Sequence, residues 1–198
     1  MTIRPGSWAT CRFALGRWGV EPDLVSFAKG VTSGYLPLGG VLASKRVHEA
    51  IESAPADRRF MHAATYSGHP VCCAVGLRNI EIIENEGLVE RAAEMGKRLL
   101  SKLEELRDLP SVGDVRGLGM MCGVELVTNR DTKAPVLGVG ARLTREALAR
   151  GMVLRVRPGS ADPPVGDTVC LAPPLMTPPE VLDRIPQILR EAIFAVTR

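Results

Sequence analysis

Histidine, lysine, paired cysteines and long apolar runs are all scarce in this 198-residue chain, and each scarcity removes a class of function. The three histidines, His48, His62 and His69, are too scattered to make a metal-ligand motif, which argues against a metal site. The five cysteines (Cys11, Cys72, Cys73, Cys122, Cys170) form no Cys-x-x-Cys pair and none sits beside a spaced histidine. They read as reduced thiols of a cytoplasmic protein. No apolar stretch approaches a membrane span, and the opening residues, which include Arg4 and Arg12, lack the apolar core of a signal peptide. An excess of one charge is missing too: 25 basic residues face 22 acidic ones, which leaves no field to attract nucleic acid or an anionic membrane. With 45% hydrophobic and 24% charged residues, a folded, soluble protein is expected.

Several familiar catalytic motifs are absent. Gly117-Leu118-Gly119 runs into Met120-Met121-Cys122, so the third glycine of a dinucleotide fingerprint is missing and no helix opens there. Gly96-Lys97 is followed by arginine where a phosphate-binding P-loop needs serine or threonine, and there is no Gly-x-Ser-x-Gly elbow.

The hydrophobic pattern alternates between strand and helix periods. Residues 24–28 read as a buried strand that feeds a glycine- and proline-rich loop over 30–40, and residues 41–43 as a second strand. Pro70 opens a helix that runs to Gly87, and the stripe Leu88, Ala92, Met95, Leu99, Leu103, Leu106 predicts a long amphipathic helix ended by Pro110. Strands are expected at 112–115, 120–127, 152–156 and 168–172, a helix at 138–150, an irregular loop at 158–166, and a C-terminal helix kinked by Pro186. The fold class is α/β, with a domain boundary at 87/88, near the start of the long helix.

Only five lysines accompany 20 arginines, so each can be judged by its setting. Lys45, Lys97, Lys102 and Lys133 sit in helix or turn positions that suit solvated side chains. Lys29 ends the first strand before glycine and small residues, where an amine can enter a cleft at the carboxyl end of a sheet. Position alone favours the ordinary alternative, a strand-end lysine reaching into water. An amine lowered from its usual pKa of about 10.4 by desolvation or a neighbouring cation supports Schiff-base chemistry.

The segment Glu21-Pro22-Asp23-Leu24-Val25-Ser26-Phe27-Ala28-Lys29-Gly30, followed by Ser33-Gly34-Tyr35-Leu36-Pro37-Leu38-Gly39-Gly40, resembles the lysine region of class III aminotransferases. Thr65-Tyr66-Ser67-Gly68-His69-Pro70 resembles a second motif of that family at the expected distance, and the likeness continues through Val115-Arg116-Gly117-Leu118-Gly119 and Leu171-Ala172-Pro173-Pro174-Leu175. The resemblance is to the omega-amino acid:pyruvate branch. It implies a fold type I, pyridoxal 5'-phosphate-dependent transaminase moving an amino group between an amine or omega-amino acid and a 2-oxo acid such as pyruvate, and acting as a homodimer. Carried over by motif, Lys29 is the catalytic Schiff-base lysine and Thr65 binds the cofactor phosphate. Arg155 meets the substrate carboxylate, although Arg157 lies two residues on and the loop that follows is longer than the family pattern. His62 and His69 are read as packing or interface residues.

The resemblance covers the C-terminal half of the family only. It implies that residues 1–87 are a remnant of the cofactor-binding large domain, with an incomplete sheet, and that residues 88–198 are the small C-terminal α/β domain. The family's phosphate loop, its ring-stacking aromatic residue and the aspartate that pairs with the pyridine nitrogen have no counterpart here, and Asp23 belongs to the loop entering the lysine strand. Two other readings stand beside transamination: a truncated, catalytically incompetent fragment or interaction module, and an aminomutase.

Overall fold

The computed structural model describes Gly16 and residues 18–197, and the chain divides into two compact units, Met1–Val89 and Glu90–Arg198. Residues 4 and 12–15, which entered the reading of the chain's start, lie outside the described residues, as does Cys11. No helix among the described residues is long and apolar enough to cross a membrane.

In the first unit β1 (Leu24–Phe27) pairs antiparallel with β2 (Gly40–Ala43), so that Phe27 faces Gly40. The ring of Phe27 lies over that glycine, where a Cβ would come within 2.6 Å of Cζ. A 3-10 turn, Lys29–Thr32, follows β1. Helix α1 (Lys45–Glu52) starts after Ser44, whose hydroxyl accepts the Val47 N–H at 3.4 Å as an N-cap. Helix α2 (Pro70–Asn85) has proline in its first turn, where a missing N–H costs nothing. The expected buried strand is not buried: Leu24 is 57% exposed and Ser26 is exposed, because β1 has one neighbouring strand and no described layer over that face.

In the second unit, strands β3 (Val112–Leu118), β4 (Met121–Asn129), β9 (Thr168–Leu171) and β6 (Arg155–Arg157) form an antiparallel sheet in the order β3-β4-β9-β6, and the short β5 (Ala134–Pro135) pairs with β4. Directly paired residues share a face. One row is Val115, Val124, Val169 and Val156, and it points into the core with Leu126 and Leu171. Helices α3 (Leu88–Glu104), α4 (Gly140–Ala149) and α5 (Pro179–Thr197) contribute Leu99, Leu103, Leu143, Leu182, Leu189 and Ile193 to that core. Pro186 is buried inside α5, which continues past it. Leu118 pairs with Met121 around a two-residue turn at Gly119, whose φ of 55° favours glycine, so the Gly117-Leu118-Gly119 motif makes a hairpin.

One expectation changes here. The loop over 158–166 contains a small hairpin, β7 (Ser160–Ala161) against β8 (Pro164–Val165), anchored by the buried Asp167, whose carboxylate accepts the Gly159 and Gly140 N–H groups at 2.9 Å each. Lys133 is exposed, as expected, and from a left-handed turn position its amine also donates to the Gly113 carbonyl at 3.0 Å. Both depend on partners at least eight residues away, which local sequence pattern does not report.

Candidate cofactor site

Lys29 is the first residue of the 3-10 turn and has a φ of 51°. Ser33 (50°) and Gly34 (78°) are also left-handed, so the chain reverses sharply after β1. The Gly34 N–H donates to the Lys29 carbonyl at 3.2 Å and the Ser33 N–H to the Gly30 carbonyl at 3.1 Å. Thr32 is fully buried and its hydroxyl donates to the Leu36 carbonyl at 2.6 Å, which fixes the far side of the loop. Lys29 itself is exposed, and its amine has no partner among the described residues.

Thr65 opens the turn Thr65–Gly68 that leads into α2. The Ser67 N–H donates to the Ala64 carbonyl at 2.9 Å, the Ala64 N–H donates back to the Ser67 hydroxyl at 3.2 Å, and Gly68 takes a φ of 69°. The Thr65 side chain is exposed, with no partner among the described residues. His69 stacks at a tilt against Tyr66, 6.2 Å between ring centroids, and His62 lies 6.1 Å from Phe60.

A helix joins these two turns. Helix α2 begins five residues after Thr65, and its Asn79 reaches the Lys29 turn, donating to the Gly30 and Val31 carbonyls at 2.9 and 3.2 Å. Sequence reasoning passed over Asn79. The available signal was an asparagine in a helix interior, where it is a poor helix former unless its amide has work elsewhere.

Arg155 belongs to the second unit. On the sheet face away from the core, the paired rows are Arg116, Gly123, Cys170, Arg155 and Asp114, Glu125, Thr168, Arg157. Arg116 is committed to Asp114 at 2.7 Å and to Glu125 at 2.8 Å, which hold its guanidinium above its ordinary pKa. Arg155 and Arg157 are both exposed on this face without an ion pair among the described residues, so either guanidinium is free to meet a carboxylate. Their shared face is what strand periodicity predicts.

The residues present match part of what pyridoxal phosphate needs. A free lysine amine suits its aldehyde and a free hydroxyl suits its phosphate. A carboxylate for its ring nitrogen is another matter. Asp23, the acid just before β1, is bound by Arg46 and by the Ser44 hydroxyl at 2.7 Å; hydrogen bonds from Arg46 first and Ser44 second hold its carboxyl below the usual range. It braces the start of α1 and is not free for a ring.

The class III aminotransferase model matches residues 4–193. The chain belongs to that family. Among relatives of this class III chain, the adenosylmethionine-8-amino-7-oxononanoate aminotransferase of Nitratidesulfovibrio vulgaris is 39% identical over 189 residues, which is 93% of this chain and 33% of that protein. The putrescine–pyruvate aminotransferase of Pseudomonas aeruginosa is 36% identical over 193 residues, 96% of this chain and 39% of that protein. The omega transaminase of Pseudomonas jessenii, solved in complex with PMP, matches with a TM-score of 0.82 at 36% identity, over 93% of this chain and 40% of that one. The class III chain thus has the fold of part of a fold type I transaminase and spans 33 to 40% of the length of these relatives. The family is pyridoxal-phosphate dependent, and its members here are transaminases acting on several kinds of substrate.

Proposed function

We propose that this chain is the lysine-bearing part of a pyridoxal-phosphate-dependent transaminase that moves an amino group between an amine or omega-amino acid and a 2-oxo acid such as pyruvate. In this reading residues 1–87 serve cofactor binding, residues 88–198 form the small C-terminal domain, and the working enzyme is a cytoplasmic homodimer. The observation that carries it is the amine of Lys29, without a partner among the described residues, held by a left-handed turn at the end of β1 within the span that the family model matches. The names of the Pseudomonas relatives, one a putrescine–pyruvate aminotransferase and one an omega transaminase, support the amine and pyruvate assignment.

Bound pyridoxal phosphate supplies an electron sink for charge developing at the substrate carbon. Lys29 would hold the cofactor through its amine, and its Nζ would serve as the general acid and base that moves the proton. The Thr65 hydroxyl donates to the phosphate. Arg155 pairs with the substrate carboxylate through its planar fork, and Arg157 shares its face as the alternative. A second reading, an incompetent fragment or interaction module, draws on Asp23, which is engaged with Arg46 and Ser44.

Borohydride reduction of the chain mixed with pyridoxal 5'-phosphate, followed by peptide mapping, tests the lysine. The expected product carries the pyridoxyl group on Lys29, and the Lys29→Ala chain loses it. Modification spread evenly over the five lysines, or placed elsewhere, overturns the assignment. Transamination by the purified chain, abolished by Lys29→Ala, would sink the incompetent-fragment reading.

A further inference from the structure

We propose that Asn79 is a positioning residue for Lys29: its amide clamps the turn that gives the lysine its left-handed backbone. The inference rests on the reading of Lys29 as the cofactor lysine and extends it to a residue on a different element.

The turn needs outside support. Lys29 and Ser33 have φ values of 51° and 50°, a region that residues with a Cβ rarely occupy. The 3-10 segment also leaves the Val31 carbonyl without a backbone donor among the described residues, while the Gly30 carbonyl, which accepts the Ser33 N–H at 3.1 Å, has room for a second donor. Asn79 meets both needs. Its Nδ2 donates to the Gly30 carbonyl at 2.9 Å and to the Val31 carbonyl at 3.2 Å, and its Oδ1 accepts from the Ser33 hydroxyl at 2.7 Å. Three of the four hydrogen bonds available to an asparagine amide are therefore spent on one turn.

The helix is shaped for this approach. Gly76 lies three residues before Asn79 and so on the same side of α2. It is buried, and a Cβ there would come within 2.8 Å of Leu38 Cδ2, with Val31 also in contact range. A small residue and an amide at this spacing bring the helix axis close to the loop and then bond its backbone. Rotating φ of Lys29 from 51° into the ordinary negative range swings the Cα–Cβ direction, so a turn that relaxes no longer aims the amine as before. Because α2 starts just after the Thr65 turn, about 14 Å of rigid helix separates Pro70 from Asn79, and the same element sets both motifs.

The test compares the full chain with Asn79→Ala, Asn79→Asp and Ser33→Ala. Hydrogen exchange of the Ser33 and Gly34 amides reads the turn. The ratio of pyridoxyl label on Lys29 to that on Lys45, after borohydride reduction with pyridoxal 5'-phosphate, reads the lysine. Loss of the two carbonyl bonds in Asn79→Ala and Asn79→Asp is expected to speed that exchange about tenfold and to reduce the labelling ratio about fivefold or more, with label on Lys45 relative to Lys97 unchanged. Ser33→Ala keeps both carbonyl bonds and is expected to keep most of the ratio. A purely structural role predicts faster exchange with an unchanged ratio, and that result overturns the proposal, as does unchanged exchange. A wild-type chain without preference for Lys29 instead defeats the cofactor assignment itself, which separates the two failures. If Asn79→Ala loses its helical circular dichroism, Asn79→Asp, which retains the acceptor for Ser33, decides in its place.

Discussion

Lys29 carries a backbone conformation that suits glycine, and that conflict between residue and position is informative. Left-handed residues with a side chain cost of order 1–3 kcal/mol and persist where surrounding structure imposes them, often at functional sites. Removing the amine should therefore have opposite effects according to what replaces it. Lys29→Gly relieves the backbone and Lys29→Ala does not, so the two variants are expected to differ by about 1 kcal/mol in the local stability of the turn. The difference is read as about fivefold slower exchange of the Ser33 and Gly34 amides in the glycine variant, and both variants lose the pyridoxyl label. Equal exchange in the two would mean that the left-handed conformation costs the turn nothing. Motif resemblance singled out Lys29 and Thr65 as candidates in the sequence. Neither the φ of Lys29 nor the role of Asn79 was legible, because the bonds that impose them join positions 48 and 49 residues apart.

At the scale of elements, local periodicity reported what a helix or strand does with its own residues and missed what it does with distant ones. The stripe from Leu88 to Leu106 gave α3 and its buried side, on which Leu99 and Leu103 are at most 1% exposed, and Leu106, equally buried, lies in the 3-10 turn Glu105–Asp108 that follows. The first strand read as buried from its apolar run, but a run reports hydrophobicity and not the presence of a covering layer. The hairpin inside 158–166 escaped because proline and glycine mark breaks in pattern without saying what lies between them. Helix α3 also meets the β3–β4 turn at a point that requires glycine. A Cβ on Gly96 would lie 2.2 Å from the carbonyl carbon and oxygen of Gly119, a backbone contact that no rotamer change relieves. Gly96→Ala raises intrinsic helix propensity by about 1 kcal/mol, so propensity alone predicts stabilisation. The clash predicts the reverse, a net loss of about 1–3 kcal/mol from forced backbone displacement. Urea unfolding of the second unit decides between them by the sign of the change in midpoint.

Across the whole molecule the apolar interior is unevenly shared. Every large side chain that is fully buried among the described residues, from Leu99 to Ile193, lies in the second unit, and the core cluster runs from Met95 to Val196. Each such leucine, isoleucine or valine contributes about 1.5–3 kcal/mol of transfer free energy, which a five-stranded sheet covered by three helices collects in one place. Before Leu88 the described residues bury one apolar side chain, Cys72, and leave Leu24, Val41, Phe60, Met61, Val71 and Leu77 more than half exposed. Sets of interactions this different in size should not melt alike. A chain of residues 88–198 is expected to unfold in one cooperative transition, with a urea dependence of about 1–3 kcal/mol/M. Within it, Leu143→Ala or Leu103→Ala, both at 0% exposure, should lose about 2–5 kcal/mol. A chain of residues 1–87 should instead show amide exchange within orders of magnitude of an open chain and bind a dye that reports exposed apolar surface. Cooperative unfolding of residues 1–87 alone would show that its described contacts suffice. Failure of residues 88–198 to unfold cooperatively would show that a core visible as contiguous in the structure depends on residues outside it. Lys29 and Thr65 both lie on the weakly buried side of this division, so the preference of pyridoxyl labelling for Lys29, read by borohydride reduction of samples equilibrated at each urea concentration, should fall at lower urea than the cooperative transition of the second unit. Following both signals in one titration of the full chain puts that ordering to the test, and coincident midpoints would contradict it.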